Sequence, residues 1–316
     1  MRVLLLLLIC LACTTSTYAG MFDGKVCYIT GGTSGLGAAA AVAAAREGCK
    51  TVFTGRREEK GKAVEKLIAD NGDTGMFIKC DVTKTEEVKA SIDATIEKYG
   101  SLDLAFNNAG IAPFNEYQPL HMMAEDGWKQ TIDVNVNGVF YSMKHEITAM
   151  LERNIKGSVV NCGSIYSFRS TEWAAAYSTS KHALTALAKT GAINYAKYGI
   201  RVNNINPAFS PSEITAGFVA AESTVPIISE WQPAGRFLKN SEVIDGLFWL
   251  WSDKSTFYNG QSLILDSGLT AGWVPPKRLE EQMRALMKAL KLPYPDDVAA
   301  KGSTKYDEPV LTKEEL

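Results

Sequence analysis

The chain has 316 residues, of which 46% are apolar and 22% are charged, and its formal net charge is -2. Charge so close to neutral gives no sign of the basic surface that nucleic-acid binding requires, so we expect no nucleic-acid partner. When its two ends are set aside, about 250 residues remain, which suit one α/β domain.

The first residues predict a targeting segment rather than part of the fold. Arg2 precedes an apolar run, and small and polar residues then lead to Ala19, which is the pattern of a secretory signal peptide over residues 1–19. The apolar run is shorter than the ~20 residues that a membrane span needs. We therefore expect no stable membrane span, and an uncleaved anchor is the alternative.

Short apolar and β-branched runs alternate with helical patterns over residues 22–272. This alternation predicts an α/β fold, a doubly wound Rossmann-type parallel sheet of about seven strands with helices on both faces. The predicted strands span residues 26–30, 51–54, 76–80, 102–106, 157–161, 200–205 and 262–266.

The first predicted strand leads into a glycine-rich loop and then an alanine-rich helix. The loop consists of Gly31, Gly32, Thr33, Ser34, Gly35, Leu36 and Gly37. Glycines permit a tight turn and let backbone N–H groups approach a pyrophosphate, to which the helix N-terminus adds partial positive charge. Because the spacing G-x-x-x-G-x-G differs from the G-x-G-x-x-G fingerprint, a purely structural turn is the alternative interpretation.

The end of the second predicted strand bears on the choice of cofactor. NAD-binding folds usually place an acid there to hold the ribose 2′-OH, whereas this chain has Gly55 followed by Arg56 and Arg57. A guanidinium can bind a 2′-phosphate through two parallel hydrogen bonds. We therefore favour NADP(H), bound by Arg56, over NAD(H). The alternative is that both arginines belong to a solvated helix start beside Glu58 and Glu59.

A serine, a tyrosine and a lysine form a candidate catalytic group. Ser164 follows the fifth predicted strand, where a hydroxyl can point into a cleft. Tyr177 and Lys181 lie four residues apart in a helix predicted over residues 174–189, so they share a face of that helix. A tyrosine titrates near pH ~10, and a neighbouring positive charge lowers its pKa. The spacing predicts a phenol that exchanges a proton near neutral pH.

Together these motifs resemble those of the short-chain dehydrogenase/reductase family over residues 22–272. In chain order they are Thr30-Gly31-x-x-x-Gly35-x-Gly37, Asn107-Asn108-Ala109-Gly110, Asn135, Ser164 and Tyr177-x-x-x-Lys181. The resemblance implies an NAD(P)-dependent oxidoreductase that interconverts a carbonyl and a secondary alcohol. A non-catalytic scaffold or sensor that only binds the nicotinamide cofactor is the alternative from another class.

The family's Asn-Ser-Tyr-Lys tetrad falls on Asn135, Ser164, Tyr177 and Lys181. The resemblance implies that Tyr177 is the general acid and base, which is typically worth ~10²–10⁴-fold in rate. It implies that Ser164 holds the substrate oxygen beside the phenol. Lys181 is expected to lower the pKa of Tyr177 and to bind the nicotinamide ribose, and Asn135 to hold a water that links Lys181 to solvent.

Further cofactor contacts are implied by the resemblance alone. They are Asp81 and Val82 at the adenine, Asn108, Ala109 and Gly110 along the cofactor's border, and Pro207 and Ser212 near the nicotinamide carboxamide. Asn108 is expected to stabilise a strand rather than to catalyse. Ala208 stands where the family has a glycine, which limits backbone freedom at that turn.

The segment 208–235 lies where the family has its substrate lid. Candidate pocket residues are Phe209, Phe218, Val225, Ile227, Ile228 and Trp231, with Tyr166, Phe168 and Trp173 after the catalytic serine. They predict a small-molecule carbonyl or alcohol substrate of apolar character, such as a steroid, retinoid or lipid carbonyl. Ordinary core packing is the alternative, and Arg169 and Glu172 could serve a polar substrate.

Four cysteines follow the signal segment, namely Cys27, Cys49, Cys80 and Cys162. An oxidising lumen permits disulfides, but three of the four lie in or at the ends of predicted core strands, so we expect free buried thiols. Their spacing matches no metal-binding pattern, and we expect no metal.

Residues 273–316 lie beyond the family pattern. Residues 277–291 predict an amphipathic helix packed on its own domain or on a second subunit, with a membrane-surface helix as the alternative. The last four residues, K-E-E-L, resemble the K-D-E-L retrieval signal. With the signal peptide they predict that the protein resides in the lumen of the endoplasmic reticulum, and secretion is the alternative.

The resemblance to the family also implies a homodimer or homotetramer formed through two long helices, over residues 128–153 and 174–198.

Overall fold

The computed structural model describes residues 20–112, 119–170, 174–210 and 232–272. Its strands are β1 (Val26–Thr30), β2 (Lys50–Gly55), β3 (Gly75–Lys79), β4 (Leu104–Asn107), β5 (Ser158–Cys162), β6 (Arg201–Pro207) and β7 (Ser262–Leu265). Its α-helices are α1 (Gly35–Arg46), α2 (Glu58–Asp70), α3 (Thr85–Tyr99), α4 (Glu125–Ile132), α5 (Gly138–Glu152), α6 (Ala175–Tyr195) and α7 (Asn240–Trp251).

The strands form one parallel sheet in the order β3-β2-β1-β4-β5-β6-β7. The chain builds outward from β1 to β3, then returns to place β4 on the other side of β1. Ligands of such sheets bind outside the carboxyl ends of the strands at this reversal. The predicted doubly wound α/β fold is confirmed, and each predicted strand agrees with the observed one to within two residues.

A hydrophobic cluster covers each face of the sheet. Successive strand residues point to opposite faces, so Ile29 joins the cluster beneath α1 and α7, whereas Tyr28 joins the cluster beneath α3, α5 and α6. All five residues of β1 are buried. This burial on both sides explains why the strand is a continuous apolar run rather than an alternating one.

Cys27 and Cys49 form a disulfide, with their Cα atoms 6.0 Å apart. Cys27 pairs with Thr51 of β2, so Cys49 is its diagonal neighbour on the same face of the sheet. This Cα separation suits a disulfide. The expectation of free thiols is therefore wrong for this pair, because the register of two buried strands brings their side chains together. Cys80 and Cys162 are free thiols.

Several predicted segments lie outside the described residues. They are the targeting segment 1–19, residues 171–173 and 211–231 of the predicted pocket and lid, and the tail 273–316. Within the described ranges, the helices are all too short or too polar to cross a membrane.

Candidate active site

Three residues of the predicted tetrad converge at the carboxyl edge of the sheet. Ser164 follows β5 and caps a short 3₁₀ turn, whereas Tyr177 and Lys181 lie one turn apart near the start of α6. The Ser164 hydroxyl lies beside the Tyr177 phenol, close enough to affect its pKa. The Lys181 Nζ lies 5.7 Å from the centroid of the Tyr177 ring. A hydroxyl, a phenol and an amine therefore meet at one point of the crevice.

Burial dominates the proton affinities of two of these groups. It raises the pKa of Tyr177 above its ordinary value, and the nearby Ser164 hydroxyl acts more weakly in the opposite direction. Burial also lowers the pKa of Lys181, whose Nζ donates to the carbonyl oxygen of Cys162 at 2.7 Å. The expected lowering of the Tyr177 pKa is therefore not found in this structure. Loss of solvent disfavours the phenolate, and it also disfavours the lysine charge that would stabilise it.

The backbone of the 3₁₀ turn orients the Ser164 hydroxyl. Its Oγ accepts a hydrogen bond from the N–H of Tyr166 at 3.2 Å. A hydroxyl has one proton to donate and two lone pairs, so Ser164 can still donate to an oxygen in the crevice. The Tyr166 ring packs edge-on against the Tyr177 ring at 5.8 Å, which places an aromatic wall beside the phenol.

Asn135 lies in a π-helical segment, Asp133–Asn137, between α4 and α5. Such segments are frequent at functional sites. The Asn135 Oδ1 accepts from the N–H of Ile111 at 2.8 Å, and its Nδ2 donates to the Ile111 carbonyl at 2.9 Å and to Ser180 Oγ at 3.0 Å. Ser180 donates to the carbonyl of Tyr177 at 2.7 Å. Asn135 thus ties the loop after β4 to the helix that carries Tyr177.

The glycine loop and the loop after β4 form one continuous backbone surface. Gly31 has a φ of 69°, and a Cβ on it would lie 2.8 Å from the Cα of Ala109. Asn108 Nδ2 donates to the carbonyls of Thr30 and Gly31 at 3.3 Å each, and Thr30 Oγ1 accepts from the N–H of Ala109 at 3.1 Å. Asn108 therefore joins the two loops rather than facing a reacting group.

The N-terminus of α1 opens from this surface. Its first turn is Gly35-Leu36-Gly37, which contains no acidic residue, and the N-cap Ser34 makes no side-chain capping bond. The first N–H groups of a helix have no partner within the helix. These donors, and the positive end of the helix dipole, fit the pyrophosphate of a dinucleotide.

Gly110 leaves room for a cofactor beside the tetrad. A Cβ at this position would lie 3.6 Å from the Nζ of Lys181 and 3.3 Å from the Oδ1 of Asn135. A side chain here would therefore fill the space between the amine and the loop. The residues present fit a nicotinamide dinucleotide that runs from the glycine loop to the tetrad.

Arg57, rather than Arg56, reaches the glycine loop. The Arg57 guanidinium donates to Ser34 Oγ at 2.6 Å and to Thr33 Oγ1 at 3.3 Å. Arg56 is exposed at the neighbouring position. The carboxyl end of β2 therefore carries two guanidinium groups and two hydroxyls, and Gly55 supplies no acid.

The other predicted contacts are placed as follows. The Asp81 carboxylate accepts from the N–H and the hydroxyl of Thr83 at 3.0 and 2.9 Å, so it shapes the turn into α3. Val82 is buried, and a Cβ on Gly138 would contact its side chain, so Val82 packs against α5. Pro207 ends β6 at the crevice, and Ser212 lies outside the described residues.

Within the described residues, no three acidic, histidine or cysteine side chains form a metal-binding group.

A row of buried asparagines, which sequence reasoning missed, crosses the sheet below the tetrad. Strand register pairs Asn107 with Asn161 and Asn161 with Asn204, and their side chains hydrogen-bond in sequence at 3.1 and 3.2 Å. Glu146 of α5 accepts from Asn107 Nδ2 at 3.1 Å, and burial raises the pKa of Glu146 to about 8. The sequence signal for this row of asparagines is an asparagine that follows an apolar residue near the end of β4, and again near the end of β5.

Comparison with known proteins identifies the family of this chain. Residues 31–270 match a family model described as enoyl-(acyl carrier protein) reductase. The chain belongs to the short-chain dehydrogenase/reductase family, and it is an NAD(P)-dependent oxidoreductase acting on alcohol and ketone groups.

Three proteins similar to this chain are informative. An A-factor type γ-butyrolactone 1′-reductase (1S-forming) of Streptomyces virginiae is 34% identical over 252 residues, which are 79% of this chain and 97% of that protein. A 3β-hydroxysteroid dehydrogenase of Mediterraneibacter gnavus is 39% identical over 224 residues, which are 70% of this chain and 80% of that protein. The crystal structure of a gluconate 5-dehydrogenase of Burkholderia cenocepacia in complex with NADP and tartrate has a TM-score of 0.75 and 30% identity, over 79% of this chain and 97% of that one.

Proposed function

We propose that this protein interconverts a carbonyl and a secondary alcohol with NADP(H), and that Tyr177 is its general acid and base. The observation that carries the proposal is the meeting of three groups at the carboxyl edge. The Ser164 hydroxyl lies beside the Tyr177 phenol, and the Lys181 amine lies 5.7 Å from the centroid of the phenol ring. A binding protein with no chemistry to perform has no need of this combination.

The side chains divide the reaction between them. The bound nicotinamide supplies or accepts the hydride. During reduction Ser164 donates a hydrogen bond to the substrate oxygen, and Tyr177 passes its proton to that oxygen as negative charge develops. During oxidation Tyr177 removes the proton from the alcohol. Lys181 binds the ribose. When the ribose or water hydrogen-bonds its ammonium group, the positive charge of Lys181 offsets the effect of burial, which raises the pKa of Tyr177.

The end of β2 supports a preference for NADP(H). Gly55 supplies no carboxylate for the ribose 2′-OH, whereas Arg57 already lies on Ser34 and Thr33, and Arg56 is exposed beside it. The gluconate 5-dehydrogenase to which the chain is similar was solved with NADP. Changing both arginines to alanine is expected to weaken NADPH binding at least tenfold and NADH binding less than twofold. Equal weakening of both cofactors would contradict the assignment.

The direct test of the reaction is Tyr177→Phe in the purified chain. Turnover of carbonyls with NADPH is expected to fall by ~10²-fold or more, while NADPH binding, followed by fluorescence, stays within about twofold. The matched control is Tyr198→Phe, which removes an exposed phenol just beyond the same helix and should leave turnover unchanged. Unchanged turnover in Tyr177→Phe would contradict the mechanism. Cofactor binding without turnover in the wild type would favour a scaffold or sensor.

The substrate we propose is an apolar cyclic or lipid-like carbonyl or alcohol. The Tyr166 ring beside the phenol and the partly exposed Phe168 offer apolar contact. One similar protein is named for a 3β-hydroxysteroid. A panel of steroid, retinoid, aliphatic and sugar carbonyls with NADPH would test the class. Preference for sugars would contradict it.

We also propose that the mature chain resides in the lumen of the endoplasmic reticulum. The disulfide between Cys27 and Cys49 supports an oxidising compartment, because such bonds are rare where thiols are kept reduced. Deleting the last four residues from the full chain in secreting cells is expected to send it to the medium. Retention of the shortened chain would contradict the role of K-E-E-L.

A homodimer or homotetramer is proposed from exposed apolar side chains on the long helices. Phe140 of α5 is 47% exposed and Ile193 of α6 is 82% exposed. Contiguous exposed apolar patches mark interaction sites, and we propose that each of these side chains belongs to such a patch. Light scattering on the purified chain is expected to give two or four times the monomer mass, and Ile193→Glu to lower it. A single monomer mass for the wild type would contradict this.

A further inference from the structure

The backbone amide of Ser164 donates to two side-chain oxygens at once. One is the Oδ1 of Asn206 at 3.2 Å, and the other is the Oγ of Ser167 at 3.3 Å. Asn206 is 0% exposed and Ser167 is 3% exposed, so both acceptors lie in the interior. The amide of the serine that faces the substrate is therefore fixed from two directions by side chains rather than by the sheet.

Ser167 also connects this serine to the helix of the other two tetrad groups. Its Oγ donates to the carbonyl oxygen of Lys181 at 3.0 Å. A hydroxyl has a single proton, so when that proton points to Lys181 a lone pair is left for the N–H of Ser164. The hydroxyl of Ser167 thereby links the 3₁₀ turn after β5 to α6, beside the bond from Lys181 Nζ to the Cys162 carbonyl.

Asn206 reaches the same amide because of strand register. Cys162 of β5 pairs with Ile205 of β6, which places Asn206 beside the residue that precedes Ser164. That residue is Gly163, and a Cβ on it would collide with the Oδ1 of Asn206. The absence of a side chain at position 163 is what lets the carboxamide approach the amide of Ser164.

We propose that Asn206 and Ser167 are positioning residues, which hold Ser164 so that its hydroxyl stays aligned with the Tyr177 phenol. The proposal rests on the catalytic role given to Ser164 above. Neither side chain is itself assigned to the cofactor, so we expect cofactor binding to change little when either is removed. A misplacement of ~1 Å costs as much as ~10²-fold in rate, so loosening this amide slows the chemical step.

The test compares Ser167→Ala, Asn206→Ala and Ser167→Thr, the last of which keeps the hydroxyl. The matched control is Ser158→Ala, since Ser158 is a buried serine at the opposite end of β5 whose hydroxyl donates to the Leu250 carbonyl at 2.9 Å. We expect kcat to fall about tenfold in both alanine variants, with KM and the NADPH dissociation constant within twofold of wild type. Ser167→Thr is expected to recover most of the loss, and Ser158→Ala to keep the wild-type kcat.

A double-mutant cycle separates positioning from general loss of stability. In a Ser164→Ala background, Ser167→Ala and Asn206→Ala are expected to lower the residual rate less than twofold, because the hydroxyl that they position is gone. Residues that act as one unit are non-additive in this way. The same tenfold loss in both backgrounds would overturn the proposal, as would a loss in Ser158→Ala equal to that in Ser167→Ala.

Hydrogen exchange at the Ser164 amide provides a readout that needs no turnover. With NADPH bound, exchange of this amide is expected to be at least tenfold faster in Ser167→Ala and Asn206→Ala than in wild type or Ser158→Ala. Unchanged exchange would overturn the proposal even if the enzyme is active. If the wild type turns over no carbonyl, the proposed function fails, while faster exchange in the two variants still establishes that these side chains hold the amide.

Discussion

Replacing Glu146 with glutamine is expected to change how the stability of the protein depends on pH. Glu146 is 0% exposed on α5, and one carboxyl oxygen accepts from Asn107. Among the described residues, its other oxygen has no hydrogen-bond partner. Because no cation offsets this burial, the pKa of the carboxyl rises from its ordinary 4.5 to about 8.

The direction of the effect follows from proton binding. Between these two values the folded protein keeps the Glu146 proton, whereas the unfolded chain releases it. The contribution of this group to stability is therefore complete below pH 4.5 and is lost as pH rises through about 8. At ~1.36 kcal/mol for each pH unit, the loss across that interval is about 5 kcal/mol. Glutamine has no proton to release, so Glu146→Gln should lack this decline.

The measurement is urea unfolding at a series of pH values between 5 and 8 for wild type and variant. The free energy of unfolding of Glu146→Gln, minus that of wild type, should rise by several kcal/mol as pH increases. The matched control is Glu152→Gln, an exposed position on the same helix, which should follow the wild-type curve. Parallel curves for wild type and Glu146→Gln would refute the reasoning, since Glu146 would then be ionised when folded.

Three further predictions concern other parts of the fold. Gly37→Ala is expected to weaken NADPH binding at least tenfold, measured by fluorescence titration, because its Cβ would overlap the carbonyl oxygen of Gly31; binding at wild-type strength would contradict this. Replacing Cys27 and Cys49 together with alanine should lower the free energy of unfolding by about 3 kcal/mol, and urea curves that match wild type would argue against the disulfide. Trp251→Phe should cost about 1 kcal/mol of stability in the same assay, because the indole Nε1 donates to the Ala105 carbonyl in the sheet; a smaller loss than in an exposed Trp128→Phe control would count against that bond.

Local sequence was enough to predict the sheet and the tetrad's neighbourhood. Buried parallel strands have to be continuous apolar runs, and the four-residue spacing of Tyr177 and Lys181 fixes a shared helical face. The direction of the Tyr177 pKa could not be read in the same way. It depends on how far solvent is excluded, and burial is a property of the assembled crevice rather than of the helix.

Two contacts that the sequence did not predict depend on strand register. Asn206 acts on Ser164 only because Cys162 stands opposite Ile205. The disulfide likewise needs Cys49 to fall diagonally across from Cys27. Both contacts join residues that are distant along the chain, and no local pattern specifies which pair of positions will face one another.

The π-helical segment Asp133–Asn137 lets this stretch of chain hold one residue more than a regular α-helix of the same rotation. An α-helix turns by about 100° for each residue, and a π turn, whose bonds run from residue i to i+5, spreads a similar rotation over one additional residue. Deleting one residue there would therefore leave α4 and α5 in nearly the same relative orientation, so the buried Gly127 and Thr131 of α4 would keep their contacts. Asn135, in contrast, would lose its alignment with Ile111. We expect such a deletion to disrupt the site while the packing of the helix is retained.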